Sequence, residues 1–386
     1  MLCDIDVGKY AEITLEELET FKLHNKDILF NRTNSFEWVG RTGVYYQNDS
    51  ISRVFASYLV RFIPNVEYIL PEYLATYLNT KYGVWDIKRR ARQSINQTNV
   101  NPEEVKEIKI PILPMDFQKH IVNNLQLANE KRIVAHNQYI EAETYLLECL
   151  GMTDFAANPD AYNVKTFKES FLETGRFDAE YYLPKYEDYC RLVQSYANGY
   201  ESLGDACNIK DTNYTPEAGA CYKYIELANI GKSGEITGCD LQDGKNLPTR
   251  ARRMVHQGDV IVSSIEGSLE SCALVTNDYE GALCSTGFYV LQSSKLNPET
   301  LLTLFKSLPM QQLMKKSCSG TILTAISKPE LEKLPVPIIR QEVQNEIAQH
   351  VQRSFALRKE AMQLLENAKI TVEQAIETGG GELVDI

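Results

Sequence analysis

The 386-residue sequence has no run of 18 apolar residues and no apolar stretch near its start, so its pattern offers neither a membrane-spanning helix nor a secretory leader. A cytoplasmic protein is the expectation. Nine cysteines are present, yet none forms a C-x-x-C pair and none has a histidine partner at zinc-finger spacing. That excludes the usual structural zinc sites and leaves the cysteines as small core residues in a reducing compartment. The five histidines, His24, His120, His136, His256 and His350, show no H-x-x-E or H-E-x-x-H spacing, so a catalytic zinc is not expected either. Excess positive charge is also missing: 40 lysines and arginines stand against 52 acids, a net charge of −12. Non-specific coating of nucleic acid needs cations over a whole surface. Any contact with DNA must therefore be local.

Enzyme signatures are missing too. Gly231-Lys232-Ser233 ends like a P-loop, but Glu226 stands where that motif starts with glycine. The Asn-Pro pairs at Asn101, Asn158 and Asn297 are followed by Glu or Asp, not by a second proline and an aromatic residue as in an amino-methyltransferase.

What the sequence does contain is an internal repeat, which decides architecture before any local reading. Setting Ile110-Pro111-Ile112 on Val336-Pro337-Ile338 gives an offset of 226 residues. Behind each step runs a long segment with a stripe spaced alternately by four and three. The first is Ile121, Leu125, Ala128, Arg132, Ala135, Tyr139, Ala142, Leu146, Cys149; the second is Ile347, Val351, Ser354, Arg358, Ala361, Leu365, Ala368, Val372, Ala375. The stripes coincide position for position, and their spacing predicts two long helices that pair as a coiled coil. Upstream, Asp27-Ile28-Leu29-Phe30 faces Asp259-Val260-Ile261-Val262 as buried strands, and Pro71-Glu72 faces Pro298-Glu299 as helix starts. Gly8-Lys9 through Ile13 matches Gly231-Lys232 through Ile236. The second repeat continues upstream to Arg176, through Arg176-Phe-Asp-Ala-Glu-Tyr-Tyr182 and Leu203 to Tyr222, a stretch with no counterpart in the first.

The expected organisation is a mixed α/β chain of two repeated domains, each followed by a long helix. The first domain takes residues 1–114 and lacks its opening segment, the first helix 115–150, a polar linker 151–175, the second domain 176–339, the second helix 340–377, and a tail 378–386. Paired antiparallel, helices of about 35 residues at 1.5 Å per residue hold two domains up to roughly 50 Å apart. That is one DNA turn or somewhat more.

Basic, polar segments stand out against the acidic background. Lys88, Arg89, Arg90 and Arg92 adjoin Gln93, Asn96 and Gln97, and Lys315 and Lys316 with Thr321 occupy the equivalent place in the second repeat. Lys245, Arg250, Arg252 and Arg253 precede the strand at Asp259. Cations position a protein on phosphates, while Arg, Asn and Gln pair with base edges. A solvated face is the plainer reading of one such cluster, but two at one repeat position favour DNA contact. The segment around Arg32 and Asn34, paired with that around Ser264, reads equally well as a DNA-facing loop or as a polar turn. Arg41 completes the candidate set.

At this point the chain resembles the specificity subunits of type I restriction-modification systems. The similar residues are Asp27-Ile-Leu-Phe-Asn-Arg-Thr-Asn-Ser35, Val39-Gly-Arg-Thr-Gly43, Arg176-Phe-Asp-Ala-Glu-Tyr-Tyr182 and the Pro-Ile plus long-helix ending of both units. The resemblance spans nearly the whole chain. It implies a non-catalytic subunit in host defence and DNA methylation, with two target-recognition domains that each read half of an interrupted DNA sequence and paired helices that set the spacer. The implied partners are double-stranded DNA, methyltransferase subunits and a translocase-nuclease. S-adenosylmethionine, ATP and magnesium would sit on those partners and none on this chain. The competing expectation is a degenerate specificity subunit that assembles methyltransferase as a scaffold without reading both half-sites.

Overall fold

A computed structural model describes the chain except residues 5–8, 96, 321–323, 380–381 and 385–386. The chain divides into two compact units, Met1–Ala135 with Ala356–Ile386, and His136–Phe355. The division falls inside the two long helices, Met115–Cys149 and Gln341–Glu377, and not at the helix starts that the sequence pattern marks. The reason is packing: each unit holds part of both helices in its own core. Among the described residues no helix is long and apolar enough to cross a membrane.

In the first unit the central strand Ile28–Asn31 lies between antiparallel strands Thr42–Val44 and Leu59–Phe62. Ile28 and Phe30 are fully buried, with the intervening residues half-buried, the alternation expected of a strand on a core. Pro71 opens helix Pro71–Leu78 in a first turn where a missing N–H costs nothing. Helix Lys81–Arg90 follows, capped by the Thr80 hydroxyl. Gly83 permits this tight succession, since a Cβ there would come within 2.4 Å of the Tyr77 carbonyl oxygen. Strands Arg92–Gln93 and Thr98–Asn99, the short helix Pro102–Val105 and strand Ile110–Ile112 lead into the first long helix. Ile121 and Leu125 of that helix share an apolar core with Ala368 and Val372 of the second, and Lys131 is ion-paired with Glu360. Each fully buried Ile, Leu or Val contributes about 1.5–3 kcal/mol, so the stripe ties both helices to this unit.

Residues 382–384, within the stretch that the sequence pattern marks as a tail, form a strand antiparallel to Ile110–Ile112. The backbone of Ile110–Ile112 presents ladder groups that need partners, and this segment supplies them.

The second unit repeats the plan. Val260–Ser263 lies between Cys272–Leu274 and Phe288–Gln292, and a fourth strand, Asn208–Lys210, pairs with the outer side of Phe288–Gln292. Helices Pro298–Lys306 and Leu308–Ser317, strands Cys318–Ser319 and Ala325–Ile326, helix Lys328–Glu332 and strand Pro335–Pro337 lead into the second long helix. Strand Tyr200–Ser202 pairs with Pro335–Pro337, the place that residues 382–384 take in the first unit. Tyr139, Ala142 and Leu146 share a core with Val343, Ile347 and Val351, and His350 Nδ1 lies 3.1 Å from Gln138 Oε1. A second sheet, Asp240–Asp243, Cys221–Ile225, Leu283–Ser285 and Ala251–Met254 in that order, belongs to this unit.

The strongest sign that the units are one fold is a pair of buried glutamines 226 residues apart. Gln118 accepts the Leu70 N–H at 2.8 Å and donates to the Tyr68 and Leu113 carbonyls at 3.0 and 2.9 Å. Gln344 accepts the Asn297 N–H at 2.7 Å and donates to the Lys295 and Ile339 carbonyls at 2.9 and 2.8 Å. Each glutamine fastens the start of a long helix to the loop before the proline-led helix of its unit, Pro71–Leu78 or Pro298–Lys306.

Candidate nucleic-acid interface

In the first unit the fold joins two segments that are far apart in sequence. Strand Thr33–Asn34 pairs with Thr98–Asn99, which pairs in turn with Arg92–Gln93. The Thr33 hydroxyl lies 2.6 Å from Asn99 Oδ1. Asn34 is thus held in one sheet with Arg92 and Gln93, on opposite sides of Thr98–Asn99, with Arg32 and Gln97 next to these strands in sequence. Asn34, Arg92, Gln93 and Gln97 are exposed, while Arg32 is half-buried with its Nε shielded from solvent. Asn96 lies outside the described residues.

Beside this small sheet the chain turns at Ser35 to Val39, held by Trp38 and Val39 N–H groups donating to the Ser35 carbonyl. Gly40 then takes a φ of +87°, and a Cβ at that point would meet Ile87 Cγ2 at 2.4 Å. Only glycine meets both demands, and it turns Arg41 back over Trp38, guanidinium 3.0 Å from the ring centroid. Burial lowers the Arg41 pKa, but the group stays cationic at neutral pH because an arginine starts so high.

The cluster at the end of helix Lys81–Arg90 divides in two. Lys88 Nζ donates to the Val39 and Glu37 carbonyls at 2.9 and 3.1 Å and also to that of Phe36, so it ties down the turn. Burial lowers its pKa, with Arg41 adding to the effect. Arg90 is mostly covered and meets Asp86 and Glu107 at 3.5 and 3.4 Å. Arg89 and Arg92 are the exposed pair, the first ion-paired with Asp86 and the second with Glu104. Exposed pairs of this kind are weak and exchange readily for other anions.

In the second unit the equivalent cations are half-buried and engaged. Lys315 pairs with Glu180 at 3.1 Å, and Lys316 sits 4.8 Å over the Tyr181 ring, its pKa lowered by burial. Arg176 donates to the Cys318 carbonyl at 2.8 Å and pairs with Asp178. The Arg176–Tyr182 stretch is therefore a clamp over this helix end. Thr321 lies outside the described residues. Ser264 bonds the Gly287 carbonyl through both its N–H and its hydroxyl, at 2.9 Å each, a structural use.

Lys245 and Arg250 are exposed. Arg250 pairs with Glu226 at 2.7 Å and donates to the Tyr224 hydroxyl at 3.2 Å, and these bonds raise its pKa. Arg252 donates to the Thr249 carbonyl at 3.0 Å, and Arg253 is half-buried with Nε and Nη1 shielded and unpaired. Sequence reasoning passed over the exposed aromatics of the first unit, Phe36, Trp38 and Trp85, although both tryptophans of the chain fall within or beside its most basic, polar segments.

Residues 5–141 match the family model described as the type I restriction modification DNA specificity domain. A protein of Methanocaldococcus jannaschii named as the MjaX type I restriction enzyme specificity subunit is 22% identical over 383 residues, 97% of this chain and 82% of its own. Among solved structures, the type I restriction-modification S subunit from M. genitalium is 14% identical with a TM-score of 0.41, covering 92% of this chain and 83% of that one. The HsdS subunit of Thermoanaerobacter tengcongensis is 14% identical with a TM-score of 0.30, covering 92% and 81%.

Proposed function

We propose that this chain, which carries a type I restriction modification DNA specificity domain across residues 5–141, is a non-catalytic subunit that recognises a two-part DNA target. Each unit reads one half, and the two long helices set the unread spacing between them. The observation that carries this reading is the repetition itself: two units with one order of elements and the same glutamine bonds. A repeated reader suits a target with two defined parts.

In the first unit the readout surface is the small sheet and turn bearing Asn34, Arg41, Arg92, Gln93 and Gln97, with Arg89 from the end of helix Lys81–Arg90. Asparagine, glutamine and arginine there supply base-edge pairing, and the exposed guanidiniums supply phosphate contacts. In the second unit Lys245 and Arg250 are the exposed members of the candidate set. The chain works in the cytoplasm, docked to methyltransferase subunits and, for restriction, to a translocase-nuclease. S-adenosylmethionine, ATP and magnesium belong to those partners.

The test is to purify the chain with a type I methyltransferase subunit and map the adenines that the complex methylates. Methylation confined to one interrupted sequence is the expected result. Assembly with methylation at no preferred sequence supports the second reading, a scaffold, which is favoured by one observation: among the described residues the sheet around Ile28–Asn31 has a strand fewer than that around Val260–Ser263.

A further inference from the structure

The two sheets differ at one edge. In the second unit, Phe288–Gln292 is covered on its outer side by Asn208–Lys210, with Leu291 opposite Ile209. Val290, Leu291 and Ile209 are all buried. Its counterpart in the first unit is Leu59–Phe62, because Ile28 stands opposite Phe62 as Val260 stands opposite Leu291. Among the described residues no strand pairs with the outer side of Leu59–Phe62. All four of its side chains are half-buried, and Ile63, the next residue, is 73% exposed.

An open strand edge carrying apolar side chains is a template for another strand. Two features limit what fits. Pro64 has no N–H to offer, so the edge accepts only a short segment. Arg61 already supplies the cation for the buried Asp27, at 3.5 Å, a role that Lys210 of the fourth strand performs for Asp259 at 2.9 Å in the second unit. A lysine opposite Arg61 would place two cations side by side, whereas an acid there would pair with Arg61.

We infer that the outer edge of Leu59–Phe62 is an interaction surface that takes a short antiparallel strand from a partner polypeptide, with an apolar residue opposite Phe62 and an acidic residue opposite Arg61. The template is the fourth strand of the second unit, and the surface does not depend on the DNA reading.

The experiment uses the full chain and two synthetic peptides. One has the sequence of residues 200–212; the other is the same with Lys210→Glu. Amide hydrogen exchange is followed at residues 59–63, with residues 288–292 as the internal control. The expected result is exchange at 59–63 slowed roughly tenfold by the glutamate peptide and less by the lysine peptide, with no change at 288–292. Ile63→Lys, a change at an exposed position, should weaken the effect without unfolding the chain. Three results would overturn the inference: no slowing by either peptide, protection at 59–63 in the free chain equal to that at 288–292, or protection that rises with protein concentration alone, which would assign the edge to a second copy.

Discussion

At the turn before the central strand the two units share a His–Asp bond but differ in the residues around it. His24 N–H donates to Asp27 at 2.9 Å, and His256 N–H donates to Asp259 at 2.8 Å. The residue before each aspartate has positive φ, Lys26 at 74° and Gly258 at 85°. Gly258 adopts that backbone without a Cβ penalty, while Lys26 bears the strain and places its ammonium 3.0 Å from the buried Glu72. The aspartate's cation comes from a fourth strand in one unit and from the neighbouring strand in the other. A repeat thus keeps its hydrogen-bond plan while the residues that satisfy it change. In the first unit the substitute cation, Arg61, comes from a strand paired directly with the central one.

The equivalence is broken most sharply by removing the glutamines. Gln344→Ala leaves the Asn297 N–H and two carbonyls without partners, and should cost the second unit about 2–4 kcal/mol. Gln118→Ala should cost the first unit a similar amount, as read by denaturant unfolding with hydrogen exchange to assign each loss to its unit. A large inequality would mean that the two staples are alike only in outline.

Next is the aspartate. Asp259→Asn strands Lys210 beside a neutral amide and should destabilise by about 2–3 kcal/mol, while Asp27→Asn should cost about 1–2 because Arg61 keeps its bond to the Lys22 carbonyl at 2.7 Å. Equal losses would show that the fourth strand adds nothing to this pair.

The third concerns cations on the surface. Replacing Arg89 and Arg92 by alanine should lower the slope of log K against log salt for DNA binding by about 1.8 if both touch phosphate. Replacing Lys315 and Lys316 should lower the slope less, since Lys316 is half-buried over the Tyr181 ring and Lys315 is half-buried beside Glu180. The same slope change in both variants would place the half-buried cations on DNA as well. The smallest effect is expected for Gly258→Ala, about 1 kcal/mol, because the nearest atom to the new Cβ is 3.8 Å away and only the backbone conformation resists.

The repeat and the long helices were legible because each rests on a period: four-three spacing along the helices, and matched Pro-Ile steps before them. The division of labour inside Lys88 to Arg92 was not. Lys88 is held by carbonyls about 50 residues back, a relation that no local spacing encodes. The Arg176 to Tyr182 stretch was visible as a motif, yet its role as a cover over Lys315 and Lys316 needed the tertiary packing. Residues 382–384 were unreadable as a strand, being three residues long with a partner some 270 residues upstream.

That last strand bears on how the molecule is made. The second unit is one continuous stretch, His136–Phe355, whereas the first unites Met1–Ala135 with Ala356–Ile386. A ribosome therefore finishes every residue of the second unit before the closing pieces of the first have been synthesised. Until residues 368–384 emerge, Ile110–Ile112 waits without that strand and Ile121 and Leu125 without Ala368 and Val372. The unit that comes first in sequence is the one that has all of its parts later.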